Sequence, residues 1–333
     1  MTSFDEAPWG RLAGVLQDLA MQAGNAMVAD ARADLLSQLD RGTSRSRGES
    51  LPVIGVAEVA PDGISPPTLV VFGRLAPGRS TELAAAVERD RGVPVEVVSI
   101  DEVEGLAGAG GAIECANSGT LAAVVNHDEK HGRCALTAAH VGVDLRSPAR
   151  TDAYVDGTRI GTVVAWTAPA DSWLDADAAL VKLEDHVTVD LAQGGTTVVR
   201  ERIDAEGLGK LVKGTPVAKV GRETGERFGR LEYVKVEIRN VPLPVPGGEH
   251  HHLHVRGHLG IVRYFSDESF AEPGDSGALV SLLDDGLALG LVCCRLRDAD
   301  HPDRWIVVVS PWPAIERQLK SALPLVTSEE VGT

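Results

Sequence analysis

Three short stretches carry residue types that can do chemistry together: Thr137-Ala138-Ala139-His140, Asp177-Ala178-Ala179-Leu180 and Pro273-Gly274-Asp275-Ser276-Gly277. A serine hydroxyl barely ionises near neutral pH, so attack by Ser276 on an acyl carbon requires an imidazole base and a carboxylate that fixes the imidazole tautomer. His140 and Asp177 supply those two groups. Small residues ahead of His140 let a strand end turn, while Gly274 and Gly277 relieve the backbone of a tight nucleophile loop. The Ala-Ala-Leu that follows Asp177 selects it over Asp175. Taken singly each motif is weak: His140 would read as a buried structural histidine, and Gly-Asp-Ser-Gly arises by chance. Three motifs in this order outweigh that reading.

In that order the motifs resemble the trypsin and chymotrypsin superfamily of serine proteases, over about residues 112 to 323. Subtilisins run Asp, His, Ser and α/β-hydrolases run Ser, Asp, His, so the order His, Asp, Ser separates three folds that share one geometry. The resemblance implies an all-β catalytic module of two six-stranded antiparallel barrels, with His140 and Asp177 on one, Ser276 on the other and the cleft between them. It implies a serine endopeptidase working through an acyl-enzyme, with the backbone amides of Gly274 and Ser276 as oxyanion hole and with no cofactor and no metal. It places Phe270 at the base of the primary specificity pocket and Cys293, Cys294 and Arg295 along its wall. No aspartate stands at Phe270, which argues against cleavage after Lys or Arg; an apolar or small residue is the default, and Arg295 leaves an acidic one open. In relatives made as zymogens a freshly cut N-terminus pairs with the aspartate that matches Asp275. No Arg-Ile-Val-Gly-Gly type site precedes the module here, so internal residues, the N-terminal region or a partner must hold Asp275.

The elements that must position these groups follow from periodicity. Strands are expected at 119–126, 133–137, 159–166 and 178–183 for the first barrel, and at 217–221, 230–238, 252–264, 277–283, 287–293 and 305–309 for the second. A polar crossing spans 187–215, and a closing helix 313–323. Ahead of the module, Leu12, Val15, Leu16, Leu19, Ala23, Met27, Ala31, Leu35 and Leu39 recur every three or four residues, which predicts an amphipathic helix over 9–40. Its stripe docks either on its own chain or on a helical or regulatory partner. Residues 42–50 read as a linker. Strands at 53–60, 69–74 and 95–100 with a helix at 81–91 make a small α/β unit without phosphate loop, metal cluster or paired carboxylates. Val53-Ile54-Gly55-Val56 and Pro94-Val95-Glu96-Val97-Val98 resemble short units that precede the protease module in some bacterial and plant trypsin-like proteins. Gly-rich residues 105–111 read as a joint. The expected domains are 1–48, 49–110, 111–325 and a tail at 326–333.

Composition narrows the function classes. At 333 residues the chain exceeds one two-barrel core, which requires a second unit. The net charge of −16 argues against a nucleic-acid surface, and Arg41, Arg45 and Arg47, the nearest thing to a basic cluster, keep the linker solvated. No stretch approaches the roughly 20 apolar residues of a membrane helix, and Asp5, Glu6, Asp18 and Asp30 do not make an export signal. Cys115, Cys134, Cys293 and Cys294 form no disulfide framework, with Val141 where exported trypsins carry a cysteine. A cytoplasmic location, a protein or peptide substrate, and neither nucleic acid nor membrane as partner are expected. His252, His254 and His258 share parity on a strand and could meet a metal, but carboxylate or cysteine co-ligands are missing and 242–248 reads as an exposed loop. The competing function is a catalytically silent, protease-like scaffold that binds peptides; silent relatives usually lose the serine or histidine that this chain keeps.

Overall fold

A computed structural model describes the chain outside residues 1–22, 34, 36–52, 63–64, 75–83, 86–87, 90–91, 107–112, 128–130, 186, 188–198, 200, 246–249, 265–268 and 327–333. The expected linker at 42–50, both ends of the 9–40 helix, most of the 81–91 helix and most of the 105–111 joint lie outside the described residues. Residues 23–33 form α1. The strands that follow are β1 (Val53–Val59), β2 (Leu69–Gly73) and β3 (Val95–Gly105). Then come β4 (Ile113–Glu114), β5 (Ser118–Gly119), β6 (Ala123–Asn126), β7 (Arg133–Thr137), α2 (Ala139–Gly142), β8 (Asp152–Val155) and β9 (Thr158–Trp166). β10 (Trp173–Leu174), β11 (Ala179–Leu183), β12 (Glu201–Arg202) and α3 (Ala205–Gly209) lead to the last group. That group is β13 (Pro216–Gly221), β14 (Gly225–Pro244), β15 (His250–Arg263), β16 (Leu279–Leu282), β17 (Leu287–Asp298), β18 (Trp305–Pro311) and α4 (Trp312–Leu319).

These strands make two sheets. The first is a 7-stranded path, β5-β4-β8-β9-β11-β7-β6, rather than a closed barrel of six. In the second, β13, β14, β15, β18, β17 and β16 pair in sequence and β16 returns to β13, all antiparallel, closing the expected six-stranded barrel. Alternating Val, Leu and Ile along these strands put one face into a common core that includes Leu231, Ile261, Leu291 and Val307.

The N-terminal unit departs from expectation because it does not stand apart. β14 runs on past β13 and pairs with β1; β17 runs on past β16 and pairs with β3. β1, β2 and β3 thereby close a second ring on the continuations of β14, β15, β17 and β18. Register shifts between Leu231 and Val241, with Lys235 and Asn240 at positive φ, coil β14 enough to serve both rings. β2 is parallel to β3 and buried throughout, so its run Leu69-Val70-Val71-Phe72 is apolar on both faces. Val70 and Phe72 face the barrel, whereas Leu69 and Val71 meet Val28 and Ala31 of α1. The apolar stripe of α1 thus packs on its own chain. It is rotated from the expected one, with Val28 buried and Met27 exposed.

Three smaller differences matter below. Pro242 and Pro244 are paired strand residues opposite His252 and His250 rather than loop. β3 extends through Gly105, past its expected end at Ile100. Among the described residues no helix is long and apolar enough to cross a membrane.

Candidate active site

His140 lies in the one-turn helix α2, directly after β7. Gly142 lets that turn rest on β11: a Cβ at Gly142 would lie 2.6 Å from the Ala179 Cβ. Asp177 stands two residues ahead of β11, which pairs with β7 and so brings both side chains to one end of the first sheet. Ser276 comes from the turn before β16, flanked by Gly274 (φ 110°) and Gly277 (φ 87°). A Cβ at Gly277 would meet Thr120 O at 2.6 Å and Thr137 Oγ1 at 2.7 Å, so the turn seats against the first sheet only with glycine there.

The three predicted side chains converge. Ser276 Oγ is 2.6 Å from His140 Nε2, and His140 Nδ1 is 2.5 Å from Asp177 Oδ2. A carboxylate only accepts, so Nδ1 carries the proton and Nε2 accepts from the Ser276 hydroxyl. Asp177 Oδ1 also accepts from the His140 backbone N–H at 3.1 Å, and the Cys293 thiol donates to the same carboxylate. Burial opposes ionisation of Asp177, yet electrostatic attraction to the His140 ring and these hydrogen bonds hold its carboxyl below the usual value. Asp175, by contrast, accepts from Arg256 and from Gln318 Nε2 and faces away from this cluster.

Several positioning residues carried no signal in the motifs. The backbone N–H of Asp177 donates to Ser310 Oγ at 3.0 Å, and Ser310 stands 2.9 Å from His258 Nε2. His258 Nδ1 donates to Arg256 O at 2.9 Å, so Nε2 accepts from Ser310, and burial keeps the ring's pKa below its ordinary value. The shared parity of His252, His254 and His258 does not survive, because a bulge around Gly257 (φ 74°) turns His258 into the core. His254 meets Trp173 instead. Among the described residues no three metal-ligating groups come together. Thr120 clasps the nucleophile turn from the first sheet: its N–H donates to Ser276 O and its Oγ1 to Gly274 O, both at 2.8 Å.

The group that holds Asp275 is internal. Lys219 Nζ lies 2.6 Å from Asp275 Oδ2, Thr224 Oγ1 donates at 2.7 Å, and the backbone N–H groups of Glu223 and Glu272 donate at 2.9 and 3.0 Å. Burial pushes the lysine down to about 8 against the pull of Asp275. Burial likewise opposes the Asp275 charge, but Lys219 and the hydrogen bonds leave its carboxyl below the usual value. Lys219 sits at the parity of buried Val217 on β13, the one sequence signal that a counter-charge was needed. A Cβ at Gly221 would run into both the Asp275 carboxylate and Lys219 Nζ, so a glycine leaves room for the pair.

Phe270, Cys293 and Cys294 are buried, and Cys293 O lies 3.4 Å from Ser276 Oγ. Arg295 is not available to an acidic residue in the pocket. Its guanidinium is bound by Glu104 and Glu272, each at 2.7 Å, and stacks 3.8 Å over Trp305. All four cysteines are free thiols.

No protein-family model and no curated protein matches the chain. Among solved structures, the chain is similar to a chymotrypsin of Cellulomonas bogoriensis and to protease A of Thermobifida fusca, each at 20% identity and a TM-score of 0.41, over 67% of this chain and 99% of the other. It is also similar to a glutamic acid specific serine protease that uses a histidine triad in substrate binding, at 20% identity and a TM-score of 0.44, over 65% of this chain and 98% of that one.

Proposed function

We propose that this chain is a chymotrypsin-like serine endopeptidase. The observation that carries the reading is the unbroken line Ser276 Oγ, His140 Nε2, His140 Nδ1, Asp177 Oδ2, with both contacts short and all three side chains buried. As Ser276 Oγ bonds to a peptide carbonyl carbon, its proton passes to His140 Nε2, and Asp177 stabilises the imidazolium. The carbonyl oxygen becomes an oxyanion held by the backbone N–H groups of Gly274 and Ser276, each such donor worth about 3 kcal/mol of barrier. His140 then returns its proton to the leaving amine, and water repeats the sequence to release the acyl group. The substrate is a protein or peptide. A cytoplasmic setting is favoured by the four free thiols, and regulation through the N-terminal region or a partner belongs to the same reading.

The test is covalent labelling of the purified chain by a fluorophosphonate, read by intact mass. One adduct that is lost in Ser276→Ala is the expected result. A chain that takes no adduct under any condition tried would leave the silent scaffold as the better reading.

A further inference from the structure

The sheet edge beside Ser276 is already occupied. β3 pairs with β2 as far as Ser99; its continuation, residues 100–105, runs antiparallel to β17 with Gly105 opposite Cys294, Glu104 opposite Arg295 and Val103 opposite Leu296. That part of β17 starts at Cys294, next to Cys293, whose carbonyl oxygen is the one 3.4 Å from the nucleophile. The next residue, Leu106, presents its carbonyl oxygen to the N–H of Gly274 at 2.5 Å. Its side chain is wholly buried in the cluster that also holds Phe270, Ala271 and Val292. Backbone paired along a sheet edge is how an extended peptide docks, with pockets reading its side chains. A carbonyl on an amide of the nucleophile turn is how the reacting bond is polarised.

Two more contacts read residue identity. At Gly105 an added Cβ would lie 2.7 Å from Pro242 O and 2.7 Å from Pro244 Cδ, so only glycine fits between β17 and β14. That wall is tied to the triad, because Asn117 Nδ2 donates both to Pro244 O and to His140 O. One residue earlier, the Glu104 carboxylate meets Arg295, itself fixed by Glu272 and Trp305.

We propose that residues 103–106 fill the substrate cleft of this protein in cis, and that the same cleft accepts from other chains a glutamate, a glycine and an apolar residue ending at the reacting carbonyl. The proposal rests on the hydrolase reading above. The occupant can leave without unmaking the fold, since residues 95–99 keep β3 on β2 while only the pairing with β17 opens. Of the contacts released, the ion pairs of Arg297 with Asp101 and Glu102 are solvent-exposed and weak.

The probe is acetyl-Val-Glu-Gly-Leu-aminomethylcoumarin, offered to the full chain, to Leu106→Asp, which puts a charge into the apolar pocket, and to Glu104→Lys, which faces Arg295 from a part-exposed position and spares the core. Hydrolysis about tenfold or more faster in either folded variant than in the wild type is expected, because the competent fraction rises. Equal rates in all three, with Ser276 labelled by fluorophosphonate in each, overturn the proposal. If none of the three labels, the hydrolase reading is what fails, and calorimetry with acetyl-Val-Glu-Gly-Leu-amide then decides the occupancy alone: binding to a variant but not to the wild type upholds it, and equal binding or none overturns it.

Discussion

A carboxylate and an ammonium taken out of water cost several kcal/mol each unless paired and hydrogen-bonded, and Asp275 with Lys219 meets that demand directly behind the nucleophile. The pair, with the Thr224 hydroxyl and three backbone amides, fixes the turn that carries Gly274 and Ser276. Burial gives this anchor an alkaline limit. The Lys219 ammonium is present at neutral pH and is lost as pH rises through about 8, which leaves the Asp275 carboxylate buried without its counter-charge. The rate of fluorophosphonate labelling is therefore expected to fall on the alkaline side with a midpoint near that value. A rate that stays level from about pH 7 to about pH 10 would remove Lys219 from this role.

At the scale of elements, β14 and β17 are the long members that make the N-terminal strands part of the barrel. Phe72 of β2 packs edge-on against Tyr233 of β14 with ring centroids 5.7 Å apart, and Val236 and Ile238 lie in the same buried cluster. Exposing Tyr233, Val236 and Ile238 costs about 1.5–3 kcal/mol each, and the three together approach a domain's whole stability of about 5–15 kcal/mol. Two bare strand edges would add pairing sites for other chains. A chain lacking residues 1–106 is accordingly expected to aggregate on size-exclusion chromatography. A soluble, monodisperse product that labels at Ser276 would mean that β1 to β3 are an appendage after all.

For the whole molecule, the site exists only where the two sheets meet. Thr120 from the first sheet holds Gly274 and Ser276 of the second, and Ser310 of the second holds the backbone of Asp177. Thr120→Val keeps the shape but removes the Oγ1 that donates to Gly274 O and accepts from Arg222 N–H at 3.1 Å. Leaving buried polar groups unsatisfied costs about 1–3 kcal/mol each. Labelling of Ser276 is expected to slow by about tenfold or more while the chain stays folded, since about 1.4 kcal/mol in the barrier is a factor of ten. An unchanged labelling rate would mean that the turn holds its shape from within its own sheet.

The meeting of His140, Asp177 and Ser276 was legible in the sequence because each stands in a short motif whose neighbours suit its place, such as Gly274 and Gly277 around Ser276. Strand positions were legible from the alternation of apolar residues along β7, β13 and β18, which depends only on neighbours in the chain. What pairs across long separations was not: Lys219 with Asp275, Ser310 with Asp177, Arg295 with Glu104, and Leu106 with Gly274. Those partners lie between 56 and 191 residues apart, and no local pattern encodes the register that joins them. Only the tertiary structure decided that β1, β2 and β3 close a second ring on β14 and β17, and that β3 runs on past its expected end at Ile100 to pair with β17 as far as Gly105, where a glycine-rich joint was expected to begin, because an open sheet edge takes whichever strand of the chain can reach it.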